Sequence, residues 1–67
     1  MNNIKKLRIQ SGLTQIQLAR KVRVSRQTIS LIEKGSYNPS LKVCLRLALA
    51  LKTNLNYLFE NYYNLHQ

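Results

Sequence analysis

Apolar residues recur along this chain with the period of a helix, about 3.6 residues, and not with the alternation of a strand. Ile4 and Leu7 begin the pattern on a face shared with Arg8 and Ser11. Leu18, Ala19 and Val22 continue it, followed by Ile29 and Ile32, then by Cys44, Leu47, Ala48 and Leu51. Caps and breakers between these groups set the boundaries. A first helix is predicted from about Asn3 to Ser11, with Asn3 as its cap and Gly12 ending it in a left-handed conformation. Thr14 caps a second helix, Gln15 to Val22, and Ser25 a third, Arg26 to Lys34, which stops at Gly35. Pro39 forces Asn38 to be extended, and Ser40 caps a fourth helix, Leu41 to Leu51. Thr53 caps a short last helix, Asn54 to Glu60, with Leu55, Leu58 and Phe59 as packing residues. The expected fold class is all-α, one compact five-helix domain over residues 1–67. Its polar and aromatic tail, 60–67, is open to three roles: widening a subunit interface, pairing with the N-terminus as a short strand, or fraying.

Between Thr14 and Gly35 the pattern is that of two short helices joined by a tight turn, with their outer faces left polar. On the wheel of the second of these, Ile29 and Ile32 point inward. Gln27, Ser30, Leu31 and Lys34 point the opposite way, and Arg26 and Thr28 sit on the flanks. A helix entering the major groove of DNA needs such a mixture, since Arg pairs with guanine, Gln with adenine, Ser with either, and Leu touches a thymine methyl. An ordinary solvated face looks much the same, so the wheel alone leaves both readings open.

The fourth helix is too apolar for a single core. Val43 and Ala50 widen its inner face on one side and Leu41, Leu45 and Leu49 on the other, leaving Lys42 and Arg46 as the solvent strip. Apolar surface left over on a small protein commonly marks a partner site. Here it suggests a homodimer, with Leu45, Leu49 and the tail residues Tyr62 and Tyr63 as interface candidates. Cys44 reads as a small core residue. Ile9 and Ile16 fall off the core faces.

Charge narrows the partners. Eleven Lys and Arg against two acids give a net charge of +9 in 67 residues, a balance that favours polyanions, with nucleic acid first and an anionic membrane surface second. No membrane-spanning segment is expected, because the run from Leu41 to Leu51 is short and broken by Lys42 and Arg46. A single cysteine makes no internal disulfide, and no Cys and His residues stand at zinc spacing, so a cytoplasmic protein without metal or other cofactor is expected. Two carboxylates, one thiol and the tail residue His66 leave no acid–base or nucleophile–base pair, which argues against an enzyme. Arg8, on an apolar face, either finds a carboxylate in Glu33 or Glu60 or extends its head to solvent.

Thr14-Gln15, Leu18-Ala19, Val24-Ser25, Ile29-Ser30, Ile32-Glu33, Gly35 and Pro39-Ser40, at this spacing, resemble the lambda-repressor-like, Cro/CI-type helix-turn-helix family. The likeness runs from about Ile4 to Phe59, and SRQTI followed by IEKGSYNPSL is most similar to the family's short stand-alone dimeric regulators. The resemblance implies a five-helix DNA-binding domain whose third helix reads operator bases. It puts Arg26 and Gln27 on base edges, with Ser30 or Leu31 a turn later, and Gln15 on the DNA backbone. Thr28 supports the helix or touches phosphate. Lys34 and the loop Ser36-Tyr37-Asn38 follow the backbone, although Tyr37 packing over the core is an alternative. The family pattern pairs Arg8 with Glu33. It often has glycine where this chain has Arg23, a position where a left-handed backbone costs a non-glycine residue on the order of 1 kcal/mol. A phosphate contact at Arg23 would offset that cost, and a solvated loop arginine is the alternative.

The expected function is therefore sequence-specific recognition of double-stranded DNA by a transcriptional regulator, a homodimeric repressor at a near-palindromic operator. The alternative is an antitoxin or accessory interaction protein that holds another protein on the spare surface of the fourth helix, with DNA binding secondary.

Overall fold

The computed structural model describes residues 2–60, in which the chain forms α1 (Ile4–Gln10), α2 (Gln15–Val22), α3 (Arg26–Glu33), α4 (Leu41–Ala50) and α5 (Leu55–Leu58). Among the described residues there is no strand. The three roles open to the tail, strand pairing among them, and the interface candidates Tyr62 and Tyr63 fall on 61–67, outside the described residues.

The caps follow from side-chain chemistry. Thr14, Ser25 and Ser40 each accept from the backbone N–H three residues on, satisfying a donor that the first turn leaves unpaired. At α2 the arrangement is reciprocal, because the Gln17 side chain also accepts from the Thr14 N–H at 2.8 Å. Two expected caps are corrected. Asn54, not Thr53, caps α5, its Oδ1 accepting from the Tyr57 N–H at 2.8 Å. The Thr53 N–H is instead spent on the carbonyl of Ala48, closing α4. Asn3 stands at the start of α1 but makes no side-chain cap. Its amide donates to the Tyr57 carbonyl at 2.6 Å and its backbone N–H to that of Leu58, while Asn2 accepts from the Ile4 N–H and donates to the Ile32 carbonyl. The two asparagines thus fasten the start of α1 to the ends of α3 and α5. Helix α5 is also shorter than expected.

Helices α1 to α4 share one kind of stop. In each, a residue with φ between 54° and 75° follows the last turn, and the next N–H reaches back to a carbonyl of that turn. Gly12 and Gly35 take this conformation freely, whereas Arg23 (φ 63°) and Lys52 (φ 54°) take it with a Cβ.

Every helix contributes to one core. Ile4, Leu18, Val22, Ile29, Ile32, Leu47 and Leu58 are fully buried, with Ala19, Ala48 and Leu51 beside them. Leu7, Leu13, Val24, Val43, Ala50, Leu55 and Phe59 pack around this centre. Each fully buried aliphatic side chain contributes about 1.5–3 kcal/mol relative to exposure. Helix α2 lies against both α3 and α4, so the first helix of the pair that follows Thr14 is backed by the apolar face of α4. Arg46 departs from the expected solvent strip by being half-buried, and Cys44 is half-buried with its thiol pushed above the ordinary range by desolvation.

Replacing Lys52 with glycine relieves the left-handed Cβ without touching a packed side chain. Lys52→Gly is expected to stabilise the fold by about 1 kcal/mol, a rise in Tm of roughly 4–8 °C by thermal melting; a lowered Tm would contradict this account of the α4 stop.

Candidate nucleic-acid interface

The outer face of α3 is built from the same spacing that buries Ile29 and Ile32. Arg26, Gln27, Leu31 and Lys34 are exposed, and Ser30 and Thr28 are half-buried. The Thr28 hydroxyl lies 2.9 Å from that of Ser25, so it serves the start of its own helix and has one fewer hydrogen bond to give elsewhere. Leu31 is 42% exposed, unusual for a leucine beside two buried isoleucines. It places one apolar surface among donors and acceptors, which suits a thymine methyl.

Behind this face lies a chain of charged and polar contacts. The Arg8 guanidinium donates from Nε to Glu33 Oε2 at 2.6 Å and from Nη2 to Oε1 at 3.3 Å, and from Nη1 to the Leu13 carbonyl at 3.0 Å. The two side chains are 11% and 4% exposed, so the pair is shielded from solvent and its loss is costly. Gln15 Nε2 donates to the same Glu33 Oε1 at 3.1 Å, and Gln15 Oε1 accepts from Arg26 Nη1 at 3.5 Å, the long limit of a hydrogen bond. A single path therefore runs from Arg8 through Glu33 and Gln15 to Arg26, connecting α1, α3 and the start of α2. The structure turns the Gln15 amide inward to Glu33 and Arg26, whereas the sequence suggested only an outward helix terminus. Its backbone N–H groups remain at the start of α2, where a phosphate is favoured by the helix dipole.

The other sequence-derived positions spread around this face. Arg23 is exposed in the turn, and Lys34 closes α3. Tyr37 is 49% exposed in the loop after Gly35 and is not among the residues packed around the core, and Asn38 is exposed beside it. Leu45 and Leu49 are 49% and 80% exposed on α4, away from this set in sequence. Sequence reasoning missed the inward contacts of Gln15, which no local pattern announces, and the Gln17 half of the cap, which Thr14-x-x-Gln17 does announce. Among the described residues no three His, Cys, Asp or Glu side chains gather to hold a metal ion, and no helix is long and apolar enough to cross a membrane.

Known proteins resemble this chain in sequence and fold. The helix-turn-helix family matches residues 4–58. An HTH-type transcriptional regulator from Archaeoglobus fulgidus is 43% identical over 56 residues, covering 84% of this chain and 80% of that protein. The immunity repressor protein of Bacillus phage phi105 is 46% identical over 48 residues, 72% of this chain and 33% of the repressor. Among solved structures, the restriction-modification controller protein C.AhdI from Aeromonas hydrophila is similar with a TM-score of 0.77 at 36% identity, over 84% of this chain and 85% of that one.

Substitution of either partner tests the ion pair. Glu33→Ala leaves the Arg8 charge shielded and unpaired, and is expected to cost about 3–5 kcal/mol in urea unfolding. The double variant Arg8→Met with Glu33→Met should cost less than Glu33→Ala alone. A loss below about 1 kcal/mol for Glu33→Ala would show that the pair is an exposed one in solution.

Proposed function

The chain belongs to the helix-turn-helix family of DNA-binding transcriptional regulators, a family of regulators and not of enzymes, and within it we propose that this protein is a sequence-specific homodimeric repressor. The observation that carries the reading is the exposed face of α3, where Arg26, Gln27 and Leu31 stand clear of the core on a helix fixed by Ile29 and Ile32. Inserted into the major groove, Arg26 pairs with a guanine and Gln27 with an adenine, and Ser30 and Leu31 read the next step. Arg23, Thr28, Lys34, Tyr37, Asn38 and the start of α2 at Gln15 meet the flanking phosphates. These contacts fix register and carry no sequence information. Gln15 has a further role in this reading: bonded to Glu33, it steadies the Arg26 guanidinium before DNA arrives.

Repression is the direction favoured by the likeness to a phage immunity repressor. A small DNA-binding domain acts most simply by occupying its operator. A homodimer is supported by Leu41, Leu45 and Leu49, which are 68%, 49% and 80% exposed in a row along one side of α4. Burying such a row against its twin removes apolar surface from water and doubles the number of base contacts. The operator is then near-palindromic, with half-sites about 34 Å apart. In this reading the protein works in the cytoplasm, on DNA and without a cofactor.

Selection of bound sites from random DNA at stated salt tests the groove assignment. Arg26→Ala and Gln27→Ala are each expected to cost about 1–3 kcal/mol and to relax preference at one base pair per half-site. Gln15→Ala should loosen preference at the Arg26 base pair as well as weakening binding. Unchanged preferences in all three variants would overturn the reading. For the dimer, Leu45→Glu is expected to shift the protein to monomer in sedimentation and to lose half-site cooperativity; a wild-type monomer on DNA would refute it.

A further inference from the structure

The two ends of α3 are held by different devices. Its start is capped by Ser25 and carries Arg26, which reaches Gln15. Its last turn holds Glu33 and no cation, although the helix dipole favours positive charge at that end. Two side chains from the beginning of the protein answer this. Arg8 pairs with the Glu33 carboxylate, and Asn2 donates from Nδ2 to the Ile32 carbonyl at 2.8 Å, thirty residues away in sequence. The same carbonyl accepts from the Gly35 N–H at 3.0 Å, where the chain leaves α3 for the loop Ser36-Tyr37-Asn38. Asn2 is half-buried, and its Oδ1 accepts from the Ile4 N–H at 3.1 Å, so one planar amide joins the first turn of α1 to the last turn of α3. Asn3 keeps that junction in place through its bonds to the Tyr57 and Leu58 carbonyls. Among the described residues Asn2 is the one side chain that donates to a backbone carbonyl of α3.

We propose that Asn2 is a positioning residue for base recognition: its amide sets the tilt of the far end of α3, and with it the base step assigned to Ser30 and Leu31. The step assigned to Arg26 is left to the other end of the helix. This rests on the reading of α3 as the helix in the major groove. Eight residues of α-helix span about 12 Å. A swing about the capped start displaces Ser30, Leu31 and Lys34 and leaves Arg26 nearly in place. The junction needs a side chain that both donates and accepts. Aspartate at this position keeps the acceptor for the Ile4 N–H, loses the donor and turns a charge toward a carbonyl oxygen, whereas alanine loses donor and acceptor together. The two substitutions therefore share one defect, the unpaired end of α3, and differ in what they do to α1.

The test is selection of bound sites from random DNA with the full-length protein and its Asn2→Asp and Asn2→Ala variants, each below its own melting midpoint. Arg26→Ala and Leu31→Ala, run beside them, mark the two base steps. Both Asn2 variants are expected to lose preference at the Leu31 step and keep it at the Arg26 base pair. Operator binding should weaken about two- to tenfold, the worth of one ordinary hydrogen bond. Asn2→Ala should melt lower than Asn2→Asp, because it alone also strips the Ile4 N–H of its partner. Equal losses of preference at unequal stability would tie recognition to the donor. The Gly35 amide, which shares the Ile32 carbonyl with Asn2, should exchange its hydrogen faster in both. A uniform weakening across all base pairs would make Asn2 a stabilising residue only and overturn the proposal. So would relaxation confined to one of the two variants, which would assign the effect to the added charge or to the lost acceptor. If Arg26→Ala relaxes its base pair and neither Asn2 variant relaxes any, the groove reading stands and this proposal fails. If Arg26→Ala also changes nothing, the groove reading fails with it.

Discussion

The carboxylate of Glu33 lies where α1, α2 and α3 converge, and it accepts from Arg8 on one side and from Gln15 on the other. An ionised group so shielded is tolerable only with partners for its charge, and Arg8 supplies a fork of donors that matches it. The geometry has a consequence beyond stability. Because Gln15 shares an oxygen of Glu33 and also reaches Arg26, the element that fixes the three helices also reaches the first outward residue of α3. The contact at 3.5 Å is long, and its value lies in limiting the wandering of an otherwise free arginine. A side chain held near its working position gives up less entropy on binding.

Local geometry and charge then act together. The helix stops at Gly12, Arg23, Gly35 and Lys52 turn the chain sharply enough for short helices to surround one core. At Arg23 that stop sets an arginine in the turn between α2 and α3, next to the face assigned to DNA. At Lys52 it sets a lysine behind α4, with no role in that face. With a net charge of +9, the molecule approaches any polyanion readily, so affinity alone says little about specificity. Discrimination in this account resides in the few side chains of α3 that can meet base edges.

Much of this was legible in the sequence because it follows from local rules. The apolar spacing gave α1 to α4 their inner faces, and Thr14, Ser25 and Ser40 marked three of the starts. What escaped was set by contacts between distant segments. Asn3 looks like a cap, yet its amide is drawn to the Tyr57 carbonyl more than fifty residues away. Thr53 and Asn54 are both plausible caps by residue type, and the choice is made by the need of α4 for the Thr53 N–H at its own end. On the candidate interface, the exposure of Arg26, Gln27 and Leu31 follows from the wheel alone. The inward turn of Gln15 does not, because it depends on where α3 brings Glu33.

Whether α3 reads bases through the major groove is tested most directly by methylation interference on the selected operator. Methyl groups at guanine N7 project into the major groove, and those at adenine N3 into the minor. N7 methylation at guanines within each half-site is expected to block binding, and the block at one guanine to disappear in Arg26→Ala. Interference confined to adenine N3, or none at any guanine, would contradict it.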